Sequence, residues 1–459
     1  MPDDPVQTRP PYAPLPSGQH RLGAELVSLD QRARLNAAMV QVAAEYGYSR
    51  ATVGRILSRA GVSRRTFYEH YDNKLGCFLA ACDDVLEDWM RRAARAYRQA
   101  SRSQGPDATR ARLTAALRTL WELLDADPLG GQVIFREALN CGIAGVHRLE
   151  QAADELDALV DQAFETEGAT ASLPAGLRTV IVGGVMEIVT TRLRHGTTKE
   201  LSGLTEPLTQ WMLGYRSPNA AAQIARARDL LSDPQDPPDI SQAQESIDVE
   251  DEAPLWRNHA VRPIAVRDAT ERIIDAAAEI AAGSGYAALS SNEICRVAGV
   301  SHHTFRKHFA SSDDAFVAAY RAGSKETIAY CLTAFASESG WPAAVHAGLS
   351  AELRFFTIRP TLARLGFFEI YAAGPEALHL RESELQLFTA ALEPGYAIST
   401  RPPHRVVSEA IAGGIYQLIR KCMLHSGPER LPVLVPEVTY AALAPFIGAE
   451  AAAAAATRG

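Results

Sequence analysis

The apolar positions Leu35, Met39, Val42 and Tyr46 step by four, three and four residues, which lays them along one face of an α-helix. Far down the chain Ile273, Ala277, Ile280 and Ser284 keep the same spacing. Each run ends on a glycine, Gly47 or Gly285, the residue that most readily takes the left-handed conformation closing a helix. Thr52 and Ser290 then stand where a hydroxyl caps a short second helix bearing Ile56, Leu57 and Ala60, or Ile294, Val297 and Ala298. Ser290 and Glu293 also have capping-box spacing. Gly61 and Gly299 turn the chain, Ser63 and Ser301 cap a third helix, and that helix sends Phe67 and Tyr71, or Phe305 and Phe309, inward. Its first turn faces the other way, with Arg64, Arg65 and Thr66 in one copy and His302, His303 and Thr304 in the other. Two short helices around a glycine turn, the second with a polar start, describe a helix-turn-helix. A recognition helix of that kind enters the major groove end-on and offers its first turns to base edges.

The pattern occurs twice because the chain repeats itself. Ala60-Gly61-Val62-Ser63 returns as Ala298-Gly299-Val300-Ser301, 238 residues later, and the same offset pairs Phe78-Leu79-Ala80-Ala81 with Phe316-Val317-Ala318-Ala319. At 232 residues, Pro128, Phe135, Glu137, Gly142 and His147 face Pro360, Phe367, Glu369, Gly374 and His379. At 230, Gly183-Gly184 and His195 face Gly413-Gly414 and His425. Small changes of offset are what altered loop lengths produce in a duplicated unit. The expected class is all-α, in two tandem units, each a three-helix head followed by a helical domain. The boundaries predicted are a flexible arm over 1–30, a first head over 31–80 and a first helical domain over 81–216. An acidic, proline-rich linker over 217–262 follows, then a divergent head over 263–318, a second helical domain over 319–448 and an alanine-rich tail over 449–459. From Asp233 to Glu252 acids stand without a Lys or Arg to offset them, the composition of a solvated linker.

The stretch from Thr52 through Arg64-Arg65-Thr66-Phe67-Tyr68-Glu69-His70-Tyr71 to Lys74 closely resembles the N-terminal head of tetracycline-repressor (TetR/AcrR) regulators, in turn, aromatic pair and following lysine. The resemblance covers about 31–80 and its duplicate near 269–318. It implies a small head, a long fourth helix from about Asn73, and a C-terminal domain that dimerises and binds a small-molecule effector. It also implies roles: Arg64, Arg65 and Thr66 as base-edge readers, with Thr52, Tyr68, His70 and Lys74 holding phosphates. In the duplicate the matching DNA-facing set is Ser301, His302, His303, Thr304, Arg306, Lys307 and His308. By family habit the regulator is a repressor. Operator DNA is then bound through the helix-turn-helix at about 53–72 and, more weakly, through its copy at about 291–310.

Behind the heads, Leu113, Leu117, Leu120 and Leu124 mark one helix, and Val180–His195 and Ala410–His425 are apolar helices whose Gly-Gly pairs permit close backbone approach. In the resembled family the last two helices build a four-helix dimer interface. Two such pairs in one chain can close it as an intramolecular pseudo-dimer, or tandem chains can form a homodimer. Candidate effector-lining residues are Trp121, Phe135, Arg136 and Asn140, beside Glu137, with Phe355, Phe367 and Glu369 in the other copy. Aromatic residues at helical spacing are more often plain core.

Charge changes this picture in one place. The net charge of −8 excludes a uniformly basic coat, but residues 31–76 carry +5 while the matched 269–314 carry −2. Phosphate neutralisation supplies most non-specific affinity, so the second head is expected to bind DNA more weakly. Ser312 stands in place of Lys74 and Arg306 in place of Tyr68. The six cysteines include no CxxC pair, no Cys/His cluster has zinc spacing, and no cofactor is expected. GxGxxG, P-loop, GxSxG and HExxH motifs are absent, which argues against an enzyme. Without a charged leader or an uncharged apolar run of about 20 residues, a cytoplasmic protein with no membrane contact is expected. The competing reading is a ligand-responsive protein-interaction module in which one or both heads no longer bind DNA.

Overall fold

The computed structural model describes residues 24–100, 107–165, 173–232 and 268–457, and no strand occurs among the described residues. The all-α expectation holds. The chain divides into two compact units, one of Met1–Ala152 with Val189–Thr205 and one of Ala153–Ile188 with Glu206–Gly459.

In the first unit, α1 (Ala24–Tyr46), α2 (Val53–Ala60) and α3 (Arg64–His70) form a head that continues into α4 (Lys74–Ala100). Leu35, Met39 and Val42 are buried together with Ile56, Phe67 and Phe78, as their spacing requires. The Thr52 and Ser63 hydroxyls cap α2 and α3, accepting from the amides of Arg55 and Thr66 at 3.3 and 3.0 Å. Gly61 ends α2 at φ 64°, in the left-handed region where a side chain is strained. Behind the head, α5 (Ala108–Ala126) packs on α4 and buries Leu113, Leu117 and Leu124. Next come α6 (Pro128–Gln132), a π-helical turn over Val133–Glu137 and α7 (Ile143–Glu165).

The second unit takes in most of α8 (Ala175–His195), α9 (Thr205–Leu213), α10 (Pro218–Ser232) and the whole second half. There the head is rebuilt from α11 (Ala269–Ser284), α12 (Ser291–Ala298), α13 (His302–His308) and the start of α14 (Ser312–Ala336). The Ser290 hydroxyl caps α12 by accepting from the Glu293 amide at 3.2 Å. The Glu293 carboxylate does not return to complete the box; it pairs with Arg296 at 3.0 Å. A reciprocal capping box forms instead at Asp268 and Glu271. The body behind this head is α15 (Trp341–Ile358), α16 (Pro360–Phe367), α17 (Pro375–Ala391), α18 (Glu393–Ile398), α19 (Val406–His425), α20 (Val435–Ile447) and α21 (Ala449–Ala456).

Within this unit α8 of the first half meets α19 of the second at their glycine pairs. A Cβ on Gly183 would lie 2.5 Å from that of Gln417, and one on Gly414 would lie 2.2 Å from the Val180 carbonyl oxygen. Polar bonds flank this joint. Arg381, 2% exposed, donates through both terminal nitrogens to Glu187 at 3.0 and 2.9 Å. Lys421 Nζ reaches Asp154 at 2.5 Å and Asp157 at 2.9 Å. Glu437 accepts from the Gly176 amide at 3.1 Å and from Arg228 at 3.0 Å. None of these is mirrored: at the repeat offsets Arg381 and Glu187 correspond to Leu149 and Gln417.

Two expected boundaries move. The segment 218–232, assigned to the linker, is the helix α10, with Ala220, Ala221 and Ile224 buried. The acids from Asp233 to Glu252 lie outside the described residues, as does most of the expected N-terminal arm. The alanine-rich tail belongs to the packed body: α21 buries Ala452, Ala453, Ala455 and Ala456 and packs against α20 and α10. Small side chains let these helices approach closely, which is why a weakly hydrophobic run is held. The stretch Pro428–Ile447 is long and apolar enough to cross a membrane, but 78% of its most apolar window is buried in the core of this unit.

Candidate nucleic-acid interface

The first turn of α3 presents Arg64 and Arg65 to solvent. Arg65 pairs with Glu69 one turn on, at 3.0 Å. An exposed pair of this kind contributes little, so another anion displaces it readily. The Thr66 hydroxyl lies 2.9 Å from that of Ser63, within the cap. Tyr68 is 53% exposed and sets its ring edge-on to Phe67. His70 is half-buried beside Tyr71. Lys74 is engaged within the head: Nζ donates to the Tyr48 carbonyl at 3.0 Å and sits 4.3 Å above the Tyr48 ring. Burial there lowers its pKa below the usual amine value. Arg64, Arg65 and Tyr68 thus share the exposed face of α3, while Thr52, Thr66 and Lys74 also hold the local fold.

In the second head Ser301 caps α13 and Thr304 repeats the 2.9 Å hydroxyl contact. His303, Arg306 and Lys307 are exposed. His302 Nδ1 lies 3.6 Å from Cys295 Sγ, and His308 Nδ1 lies 2.9 Å from the Thr270 hydroxyl, tying α13 back to α11. The two heads share one internal clamp. Arg34 Nη1 donates to the Ala60 carbonyl and Arg272 Nη1 to the Ala298 carbonyl, both at 3.2 Å, satisfying the end of the helix before the turn. These two bases, part of the charge counted above, are therefore spent inside the heads.

A second repeated bond joins each head to its own body. Glu137 Oε2 accepts from the Tyr48 amide at 2.8 Å, and Glu369 Oε2 from the Tyr286 amide at 2.7 Å. Both carboxylates are buried, and burial raises the Glu369 pKa despite the amide that stabilises its charge. The sequence showed Glu137 and Glu369 as a matched pair but gave no partner. Glu369→Ala strands a partly buried amide, at a cost of about 1–3 kcal/mol. Hydrogen exchange at Tyr286 is expected to accelerate roughly tenfold or more, while exchange in the first head stays unchanged; unaltered exchange at Tyr286 would discount the bond.

The effector candidates of the first half are engaged in packing and local bonds. Trp121 and Phe135 are core, the indole donating to the Thr205 hydroxyl at 3.0 Å. Arg136 is exposed beside Glu137, and Asn140 donates to Glu137 at 3.2 Å. In the other copy Phe355 is core and Glu369 is bonded to its head, but Phe367 lines a cavity of about 200 Å³ between α14, α15, α16, α17 and α19. Its wall is chiefly apolar, with Glu352, Arg381 and Glu384 as the ionisable carboxylates and base. Burial and the charge of Glu384 push Glu352 up to about 7. No group of His, Cys, Asp or Glu fit to hold a metal occurs among the described residues.

Comparison with known proteins bears on the heads. Residues 35–81 and 273–319 each match the family described as bacterial regulatory proteins, tetR family. The HTH-type transcriptional activator FasR of Mycolicibacterium smegmatis is 28% identical over 180 residues, covering 39% of this chain and 78% of its own. Among solved structures, FadR of Bacillus subtilis in complex with stearoyl-CoA is 19% identical, with a TM-score of 0.35 over 39% of this chain and 97% of its own. FadR of Bacillus halodurans is 24% identical, with a TM-score of 0.35 over 40% of this chain and 95% of its own. The two heads, capped and turned alike on an all-helical chain, are each a tetR-family head, and the chain that carries them in tandem is a DNA-binding transcriptional regulator.

Proposed function

We propose that one chain binds one operator as an intramolecular pseudo-dimer, reading two unlike half-sites and responding to a small molecule. The observation that supports this most directly is the joint in the second unit, where α8 of the first half lies against α19 of the second at Gly183 and Gly414. Those are the helices that the resembled family uses to pair two chains. Arg64 and Arg65 read base edges in the first half-site, and Tyr68 contacts the backbone. The second head, poorer in charge, holds a weaker half-site through His303, Arg306 and Lys307. Effector binding falls to the cavity of the second half.

The test is the mass of the purified chain in solution and its stoichiometry on promoter DNA at two salt concentrations. One chain per site with affinity falling steeply in salt is the expected result. Two chains per site would replace the pseudo-dimer with a homodimer of tandem chains. Affinity independent of salt would turn the assignment toward a protein-interaction module. The sign of regulation depends on where the site lies against the promoter. Family habit implies a repressor, FasR is named an activator, and transcription in vitro with and without the protein separates the two.

A further inference from the structure

We propose that the second-half cavity takes an apolar molecule ended by a nitrogen-bearing, uncharged or cationic group, an alkylamine or alkylamide, and discriminates against anionic amphiphiles. This rests on the effector-binding reading above and names the chemistry of that same site.

The polar groups of the cavity are unequal in sign. Its one base, Arg381, has both terminal nitrogens on Glu187, and its guanidinium stacks 4.2 Å from the Tyr416 ring. The charge of that base is already met. Two acids, Glu352 and Glu384, stand on the same wall, Glu384 also feeling the Arg381 charge that Glu187 already meets, so the acids outnumber the base. Tyr320 donates to one oxygen of Glu384, while the other, Oε1, is buried with no hydrogen-bond partner. The Nε of Arg381 is likewise buried and unpartnered. An unmet acceptor and an unmet donor on residues of one cavity wall suit an amide, and the excess of acid suits an ammonium. Above about pH 7, where Glu352 is ionised, a carboxylate or phosphate brought here would face like charge in a medium that screens poorly.

The rest of the cavity is apolar, from Phe356 and Phe367 at depth to Leu332 and Leu387, which are 57% and 53% exposed at its rim. An alkyl chain can pass such a rim without stripping polar groups of water. The polar set belongs to the second half alone. At the offset of 232 the positions of Glu352, Arg381 and Glu384 are Leu120, Leu149 and Ala152 in the first half.

Octylamine, octanamide and octanoate, titrated calorimetrically into the full-length protein, decide the matter because they differ only at the head group. Octylamine or octanamide is expected to bind at least about tenfold more tightly than octanoate. Glu352→Gln with Glu384→Gln is expected to abolish the preference for the amine. Should that variant not fold, the ranking on the unaltered protein stands as the test. Octanoate binding as tightly as the other two, or no binding by any of them, overturns the proposal. A second readout, operator release on ligand addition, separates the two readings. Amine binding without a change in DNA affinity upholds the chemistry and removes the effector role; octanoate binding with operator release does the reverse.

Discussion

Replacing Arg64 and Arg65 together by alanine is expected to weaken operator binding by roughly two to four orders of magnitude. Each good bidentate contact to a base contributes about 1–3 kcal/mol, and both guanidinium groups stand on the exposed first turn of α3. Neither is needed for the head to fold, since its core is Leu35, Met39, Ile56, Phe67 and Phe78. The loss should therefore appear with an unchanged melting midpoint. Much of it should be lost discrimination: the double variant is expected to bind operator and unrelated duplex nearly alike. The matched substitution, His302→Ala with His303→Ala, is expected to cost less than about tenfold, because that head begins from a charge of −2 against +5. Equal losses from the two pairs would show that the heads contribute equally.

The second large effect lies in the protein's interior. Glu187→Ala is expected to lower stability by about 3–5 kcal/mol, because it strands the Arg381 guanidinium in a buried place. Arg381 is 2% exposed, bonded twice to Glu187 and flanked by the Tyr416 and Tyr371 rings. Replacing both partners, Glu187→Leu with Arg381→Leu, should recover much of the loss, since apolar groups of similar volume need no counter-charge. Denaturant unfolding of the three variants measures this. A loss under about 1 kcal/mol for Glu187→Ala would mean that water reaches the arginine.

The heads were legible in the sequence because what builds them is local. A capping hydroxyl, a turn glycine and an aromatic pair act within one or two turns, and each appears twice. Residues whose partners are distant in sequence were harder to read. Glu137 stood out by its match to Glu369, yet its partner amide is 89 residues away. Lys74 was expected on phosphate, and nothing local revealed that the Tyr48 ring and carbonyl lie beneath it. The cavity escaped notice because Glu352, Arg381 and Glu384 lie on two helices and resemble surface charges in a linear reading. The tail was set apart from the second helical domain because alanine is weakly hydrophobic, although its size is what permits α21 to pack.

One divergence between the copies could have been noticed. Tyr71, Asn36 and Asp84 form a hydrogen-bonded chain in the first head, while the matched positions at an offset of 238 are Phe309, Ile274 and Ala322. All three polar members have been exchanged for apolar ones. A buried network is favourable when complete and costly when partial, so it tends to be kept or lost as a whole.

The unmirrored bonds of the joint carry a consequence for orientation. In a symmetric homodimer every contact occurs twice, and the molecule reads the same from either end of its site. Here Arg381 meets Glu187, and Lys421 meets Asp154 and Asp157, once each. A mutation at the joint is felt once, and each half can diverge without dragging its counterpart along. Such a protein has a front and a back. If one chain sits on one operator through both heads, as proposed above, it acquires a direction, and inverting its site is expected to turn it round on the promoter.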